Sequence, residues 1–405
     1  MDFELFSSFV SRSGRGRRQM GKIAADKKVF AFLIVIAASI AALTCGCAKQ
    51  QAYKGELEIE ESRFFFVDSG FAAYHEGTLY FTEPAFSGRK PFVYFADTET
   101  GDCMPLCGKP ECSHDNNNCN AYLDGLYGGN PLFTVYNNKI YWRRFEKAKT
   151  ELIPILCSMN LDGTMRKDVM SLDYALEEFM NVGFLGIYDG KLFRCGSGET
   201  VEDSEPVYSV TVYSQELTGE ADPNVILHMK GYNGILARMN VNVLYLACFA
   251  RGEDEKLLLL SYNMDDETLT ELYSGSDFPC SAQSIFVVGD SIVFSGGITA
   301  YSYSLNNGEI SPISSDPDKH LVFVSEDRIF TFTSASTYSC TDFSSGSVCI
   351  GELPDECLDG RLKYPLGSID GTFYFFFAGF SEEQKSVLAS YDPSDDCFSV
   401  LAMLP

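Results

Sequence analysis

Asp370-Gly371-Thr372-Phe373-Tyr374-Phe375-Phe376 is one of seven versions of a single local pattern: a two-residue turn, one further residue, then an apolar or aromatic run. The others start at Glu76-Gly77 (before Leu79-Tyr80-Phe81), Asn137-Asn138 (before Ile140-Tyr141-Trp142) and Asp189-Gly190 (before Leu192-Phe193). Three more start at Val241-Asn242 (before Leu244-Tyr245), Gly289-Asp290 (before Ile292-Val293-Phe294) and Glu326-Asp327 (before Ile329-Phe330). The key apolar residues are spaced 61, 52, 52, 48, 37 and 44 residues apart. Strand-built repeats of this length are the signature of a β-propeller. The expected fold is therefore all-β: a seven-bladed propeller of four-stranded antiparallel blades over residues 62–405, behind a signal or anchor segment.

The blade follows from two kinds of turn. Asp-Gly and Asn-Asn tolerate the positive φ that a type I′ hairpin needs at both central positions, so the first strand folds directly onto the second. Val241-Asn242 fits that requirement poorly and predicts a different turn in the fourth repeat. A second turn joins the third and fourth strands at Thr100-Gly101, Asp162-Gly163, Thr218-Gly219, Asn307-Gly308 and Ser345-Gly346, with Asp265-Asp266 and Ser394-Asp395 as less regular forms. In the fifth repeat the four strands read Ser284–Val288, Ser291–Ser295, Ala300–Leu305 and Glu309–Ile313. The apolar density of each second strand predicts burial on both faces, between neighbouring blades. Only 170–180 reads as a short helix, and 63–67 is a candidate to complete the seventh blade.

An up-and-down meander puts both kinds of tight turn on one face of the disc. The opposite face then receives the longer connections at 108–134, 143–155, 171–180, 196–206, 228–234, 250–255 and 353–366. Long loops on a rigid scaffold are where binding residues collect, so a single working face is expected there.

Upstream, Arg12, Arg15, Arg17, Arg18, Lys22, Lys27 and Lys28 precede an apolar run from Val29 to Leu43, which ends at Thr44-Cys45-Gly46-Cys47. A basic flank, a short apolar run and small residues form an export signal. The terminal cysteine matches a bacterial lipobox, with Cys47 the candidate for lipidation and Cys45 its rival. Residues 1–46 then form the signal peptide and 47–61 a tether, and the protein is expected at the cell membrane, extracytoplasmic and lipid-anchored. The leader carries seven basic and three acidic residues, so the rest of the chain is near −29 against −25 for the whole. Such a surface excludes nucleic-acid binding by phosphate neutralisation. It also confines membrane contact to the N-terminal lipid.

Within the insert 103–134, Cys107-Gly-Lys-Pro-Glu-Cys112-Ser-His114-Asp-Asn-Asn-Asn-Cys119 supplies three thiols and one imidazole. That is the ligand set of a structural zinc site, Cys107, Cys112, His114 and Cys119, with no position left open for catalysis. The competing reading for an exported chain is disulfide chemistry, with Cys103 as a fourth cysteine. Leader, lipobox, the Cys-x4-Cys-x-His-x4-Cys segment, Cys119-Asn-Ala-Tyr122 and the repeated turn–strand units together resemble a family of uncharacterised lipoproteins from Gram-positive gut-type bacteria. Their propeller is similar to the TolB and low-density-lipoprotein-receptor type. The resemblance implies a surface-anchored propeller and supplies no substrate and no catalytic residues.

Other residues carry weaker signals. Cys340 and Cys349 fall opposite each other in one hairpin and could form a disulfide. Arg143, Arg144, Lys147 and Lys149 form the one basic cluster of the acidic domain and are candidates for partner binding. Glu199, Glu202, Asp203 and Glu205 could meet calcium but lack the ordered spacing of a calcium loop. Four histidines without a nucleophile motif give catalysis little support. The expected function is a non-enzymatic binding or scaffold module for a protein, peptide or glycan at the cell envelope. The alternatives are a glycoside hydrolase or polysaccharide lyase with carboxylates at the central channel, and a sensor in an envelope complex.

Overall fold

The computed structural model describes residues 71–82, 91–126, 132–148, 151–172, 181–202, 205–219, 221–250, 256–276, 284–296, 299–314, 321–325, 328–342, 345–358, 362–379 and 384–404. The leader, Cys45, Cys47, the tether, 63–67, Lys149, Asp203, Cys280 and His320 lie outside them. Among the described residues, twenty-eight strands form seven four-stranded sheets, each a meander of consecutive strands. The blades occupy 72–105, 134–171, 181–230, 234–275, 284–314, 321–352 and 362–404. The first strands of successive blades lie side by side around the centre. The ring meets itself where blades 1 and 7 share one core, with Phe81 and Phe376 5.8 Å apart. All four strands of blade 7 come from 362–404, so the blade is complete without 63–67.

Turn chemistry matches the expected dipeptides. Glu76-Gly77, Asn137-Asn138, Asp189-Gly190 and Asp370-Gly371 have positive φ at both residues, between 44° and 82°. Val241-Asn242 forms a two-residue hairpin as well, with Asn240 paired to Val243, but only Val241 is left-handed, at φ 53°. Gly289 takes the same single left-handed position in blade 5. The fourth repeat therefore keeps its loop length and changes only the turn type. In the third-to-fourth turns of blades 4 and 7 the left-handed residues are Glu267 and Asp396, one place beyond the expected dipeptides.

Burial falls from the second strand outward. In blade 7 Phe373, Phe375, Phe376 and Phe377 are all fully buried, whereas the outer strands of blades 4 and 6 are largely exposed. Aromatic rings fill the seam between blades 6 and 7, with Phe330 4.6 Å from Phe375 and 5.2 Å from Tyr391.

Several expected loops are strands. In blade 2 the second and third strands run Lys139–Ala148 and Glu151–Asn160, paired to the tip at Ala148 and Glu151. In blade 3 they run Lys191–Glu202 and Glu205–Glu216, paired to Glu202 and Glu205. The first and fourth strands of blade 3 stop pairing at Ser197 and Ser209, so the rest projects as a two-stranded arm. Both faces of a projecting ribbon meet water, and the polar residues that suggested loops are the consequence. Met170 and Ser171, expected to open a helix, end the outer strand of blade 2, while 173–180 lies outside the described residues.

Candidate metal centre

The outer strand of blade 1, Cys103–Pro105, is interrupted rather than ended. Leu106 N–H donates to Val93 O, and Val93 N–H donates to Ala121 O, so the chain leaves the sheet edge after Leu106 and rejoins it at Ala121. Leu123 N–H then donates to Pro91 O, and Phe92 bridges Tyr122. Residues 107–120 are thus a closed excursion from the rim of blade 1. Its ends are pinned to the sheet edge at the end of the third strand away from that blade's own tight turn, and it leans on the third-to-fourth turn of blade 2. A Cβ placed on Gly163 in that turn would lie 2.5 Å from Leu106 O, so only glycine admits the approach.

The excursion gathers its four side chains. One ligand atom each from Cys107, Cys112, His114 and Cys119 falls within 4.8 Å of the others, with Cys119 buried and the rest partly so. A tetrahedral ion with zinc–sulfur bonds of about 2.3 Å separates its sulfurs by about 3.8 Å, so the set needs only slight contraction to close on a metal. His114 Nδ1 is 3.3 Å from Cys119 Sγ. The single residue between Cys112 and His114 suffices because His114 is left-handed, at φ 53°. That kink returns the imidazole toward the thiols, and histidine tolerates it better than most residues with a side chain.

The loop holds itself in place. Cys112 N–H donates to Lys109 O, Cys119 N–H to Asn116 O, and the Lys109 ammonium to Asn118 O. Asn116 Oδ1 accepts from Asn118 N–H at 2.9 Å, which is the bend the asparagine run supplies. Burial raises the Cys107 thiol. The N–H groups of Lys109 and Asn120 and the thiols of Cys119 and Cys112 outweigh it, so its pKa falls below the ordinary value. Cys119 is pushed up to about 12, chiefly by burial. Two neighbouring thiols with opposed shifts form a donor set that a cation would deprotonate on binding.

Cys103 stands outside this group, paired across from Ala96, and burial pushes its thiol up to about 12. Among the described residues no cysteine, Cys103 included, is bridged in this structure. Cys340 and Cys349 do lie opposite each other in blade 6, likewise as thiols. Cys157, Cys195 and Cys248 are buried in strands.

The basic cluster is divided by strand alternation. Arg143 is buried against Phe145, 4.8 Å from the ring centroid, and burial lowers its pKa to about 10. Arg144 points the other way and clasps Asp168 through Nε (3.2 Å) and Nη2 (2.8 Å). Lys147 is exposed. Arg143 and Arg144 therefore do not share a surface, and Lys149 lies outside the described residues. Glu199 is exposed on the blade 3 arm. The tight-turn face is laced between blades by His75 Nε2 with Asn138 Oδ1 at 2.7 Å, Gly190 N–H to Tyr136 Oη at 2.8 Å, and Lys191 with Glu267 at 3.0 Å.

No family model matches the chain, and no curated protein matches it in sequence. Among solved structures it is similar to a Mycobacterium tuberculosis puromycin-hydrolyzing peptidase at 11% identity and TM-score 0.49, covering 86% of this chain and 55% of that one. It is similar to the β-propeller domain of the Trilobed protease from Pyrococcus furiosus at 12% identity and TM-score 0.46, covering 84% of this chain and 98% of that one. A putative 6-phosphogluconolactonase from Bacteroides fragilis gives 10% identity and TM-score 0.49, covering 85% and 95%. The chain thus spans about half the length of the peptidase and nearly all of the other two chains.

Proposed function

We propose that this chain is a non-catalytic binding module of the cell envelope, tethered by a lipid on Cys47 or Cys45, whose propeller presents a partner surface opposite the tight turns. The observation that carries the reading is the pair of extended hairpins on adjacent blades 2 and 3, which reach out on that side. They expose Leu152, Val201 and Tyr208 at 43%, 73% and 39% of their surfaces. Apolar and aromatic side chains at the tips of rigid ribbons suit recognition of a protein, peptide or glycan. The alternative, a glycosidase, would need a carboxylate pair about 5–10 Å apart at the channel mouth.

In the same reading the Cys107–Cys112–His114–Cys119 set holds a structural zinc that clips the rim of blade 1 to blade 2. Metal analysis of the purified chain should give one zinc per molecule in the wild type and none in Cys112→Ser. A disulfide found by alkylation and mass spectrometry within this set would remove the zinc reading. For the partner surface, glycan and peptide arrays should yield a binder of the wild type that a Val201→Asp/Tyr208→Ser variant no longer recognises. Absence of any binder, or binding indifferent to that change, counts against the arms.

A further inference from the structure

Cys340 and Cys349 are direct partners across the outer hairpin of blade 6. Two places along the same register, Asp342 N–H donates to Ser347 O at 2.9 Å, so by alternation 340 and 349 form a hydrogen-bonded pair as well. Cα atoms in such a pair are about 5.5 Å apart, a span that a disulfide bridges. Opposed residues share a face of the sheet, and both cysteines turn toward the aromatic seam with blade 7. Cys340 is buried, whereas Cys349 is only half-buried and can meet a solute.

The pair is wired into the seam. The Tyr391 hydroxyl lies within hydrogen-bond reach of both thiols and donates to Asp396 at 2.8 Å. The Cys349 thiol donates to the same carboxylate, and Tyr338 Oη is its third donor at 3.3 Å. Asp396 belongs to the last turn of blade 7, so one thiol of the pair helps to clasp blade 7 onto blade 6. Burial pushes Cys340 up to about 11, and the bond to the Asp396 carboxylate raises Cys349. Thiols held protonated exchange slowly, so such a pair follows lasting redox surroundings rather than brief pulses.

We propose that Cys340 and Cys349 are a redox-sensitive pair, converted to a cross-strand disulfide by exchange with an external disulfide, and that this takes one donor from Asp396 and loosens the clasp between blades 6 and 7. The Cys349 thiolate attacks the external disulfide and expels its first thiolate. The Cys340 thiolate then attacks Cys349 Sγ, closes the Cys340–Cys349 bond and expels the second. The two cysteines lose two electrons and two protons, and the external disulfide gains both as two thiols. The pair lies in blade 6, apart from the arms and the metal ligands, and depends on the role of neither.

The full chain is equilibrated with reduced and oxidised glutathione in varied ratio, quenched with acid, alkylated and mapped by mass spectrometry. As the oxidised share rises, Cys340 and Cys349 should lose alkylation together and appear joined to each other. Exposed Cys397, which faces Asp392 across its hairpin, should gain only a glutathione adduct. Cys349→Ser keeps a hydroxyl beside Asp396, so it should fold as the reduced wild type does and leave Cys340 a thiol at every ratio. Urea unfolding of wild type and Asp396→Asn, each reduced and oxidised, reads the clasp: their midpoint gap should shrink by about a third or more on oxidation, since one of three donors is lost. The proposal is overturned if both cysteines stay thiols, if Cys349 stops at the glutathione adduct, if either cysteine bridges elsewhere, or if the gap is the same in both states.

Discussion

Val241 is a β-branched residue held at φ 53° in an exposed two-residue turn, a positive φ that Gly289, Asn137 and Asp189 also have at the matching place in other blades. A non-glycine residue in this region costs on the order of 1 kcal/mol or more, and a β-branched one is the worst case. Val241→Asn should therefore raise the midpoint of urea unfolding by the equivalent of about 0.5–1 kcal/mol, with the slope unchanged. An unchanged or lower midpoint would show that the turn is not strained. Gly163 makes the opposite case. It is left-handed at φ 78°, and a methyl group there would sit 2.5 Å from Leu106 O. Gly163→Ala should push the base of the excursion away from blade 2, and a competitive chelator should strip metal from it at lower concentration than from the wild type. Equal chelator midpoints would detach the turn from the clip. At this scale the turn dipeptides were readable because positive φ is nearly a property of glycine, asparagine and aspartate. The left-handed His114 was not readable, because it is imposed by the closure of the loop around its thiols.

Elements were legible where one face is buried and illegible where neither is. The second strands announce themselves through runs such as Phe373–Phe377, since they lie between two blades. The arms of blades 2 and 3 carry no such mark: Glu146, Lys147 and Glu199 are solvated, and a ribbon wet on both sides has no alternation to display. The metal set was legible as chemistry but not as placement, because nothing local says that the outer strand resumes at Ala121. Between blades 6 and 7 a polar clasp lies beside the aromatic seam. Asp396 accepts from Tyr391 Oη at 2.8 Å and Tyr338 Oη at 3.3 Å. Hydrogen bonds from the Cys349 thiol, then from Tyr391 and Tyr338, hold its pKa below the usual carboxylate range. A depressed carboxylate stabilises the fold fully above the unfolded value of about 3.9, and that contribution is lost as the pH falls from there through the native value. Asp396→Asn should therefore be less stable than the wild type at pH 7, and the gap should narrow below about pH 4. A gap independent of pH in chemical denaturation would mean that the charge of Asp396 contributes nothing.

The ring as a whole was predictable from its seven turn–strand units, but the way it closes was not, since the sequence offered 63–67 as a strand to complete blade 7 beside four strands already present in the seventh repeat. Blade 7 is instead built of consecutive strands, and among the described residues the seam to blade 1 is side-chain packing. Phe81 meets Phe376 at 5.8 Å, Phe71 meets Tyr364 at 5.9 Å, and Leu401 reaches within 3.8 Å of the Cβ position of Gly101. At every other seam the chain itself links one blade to the next, so a cavity there weakens packing without freeing the blades. The seam between blades 1 and 7 joins the two ends of the propeller, and among the described residues it has no such link. Truncating a buried phenylalanine costs about 3–5 kcal/mol wherever it sits, so Phe330→Ala in the linked seam and Phe376→Ala in the unlinked one should lower stability by similar amounts. Their unfolding should differ in cooperativity. Phe330→Ala should keep a single transition of wild-type slope, whereas Phe376→Ala should let blades 1 and 7 part before the rest and show a shallower or two-step urea transition. If both variants unfold with the wild-type slope, the seam is no weaker than a linked one, and packing alone suffices to make the closed ring one cooperative unit.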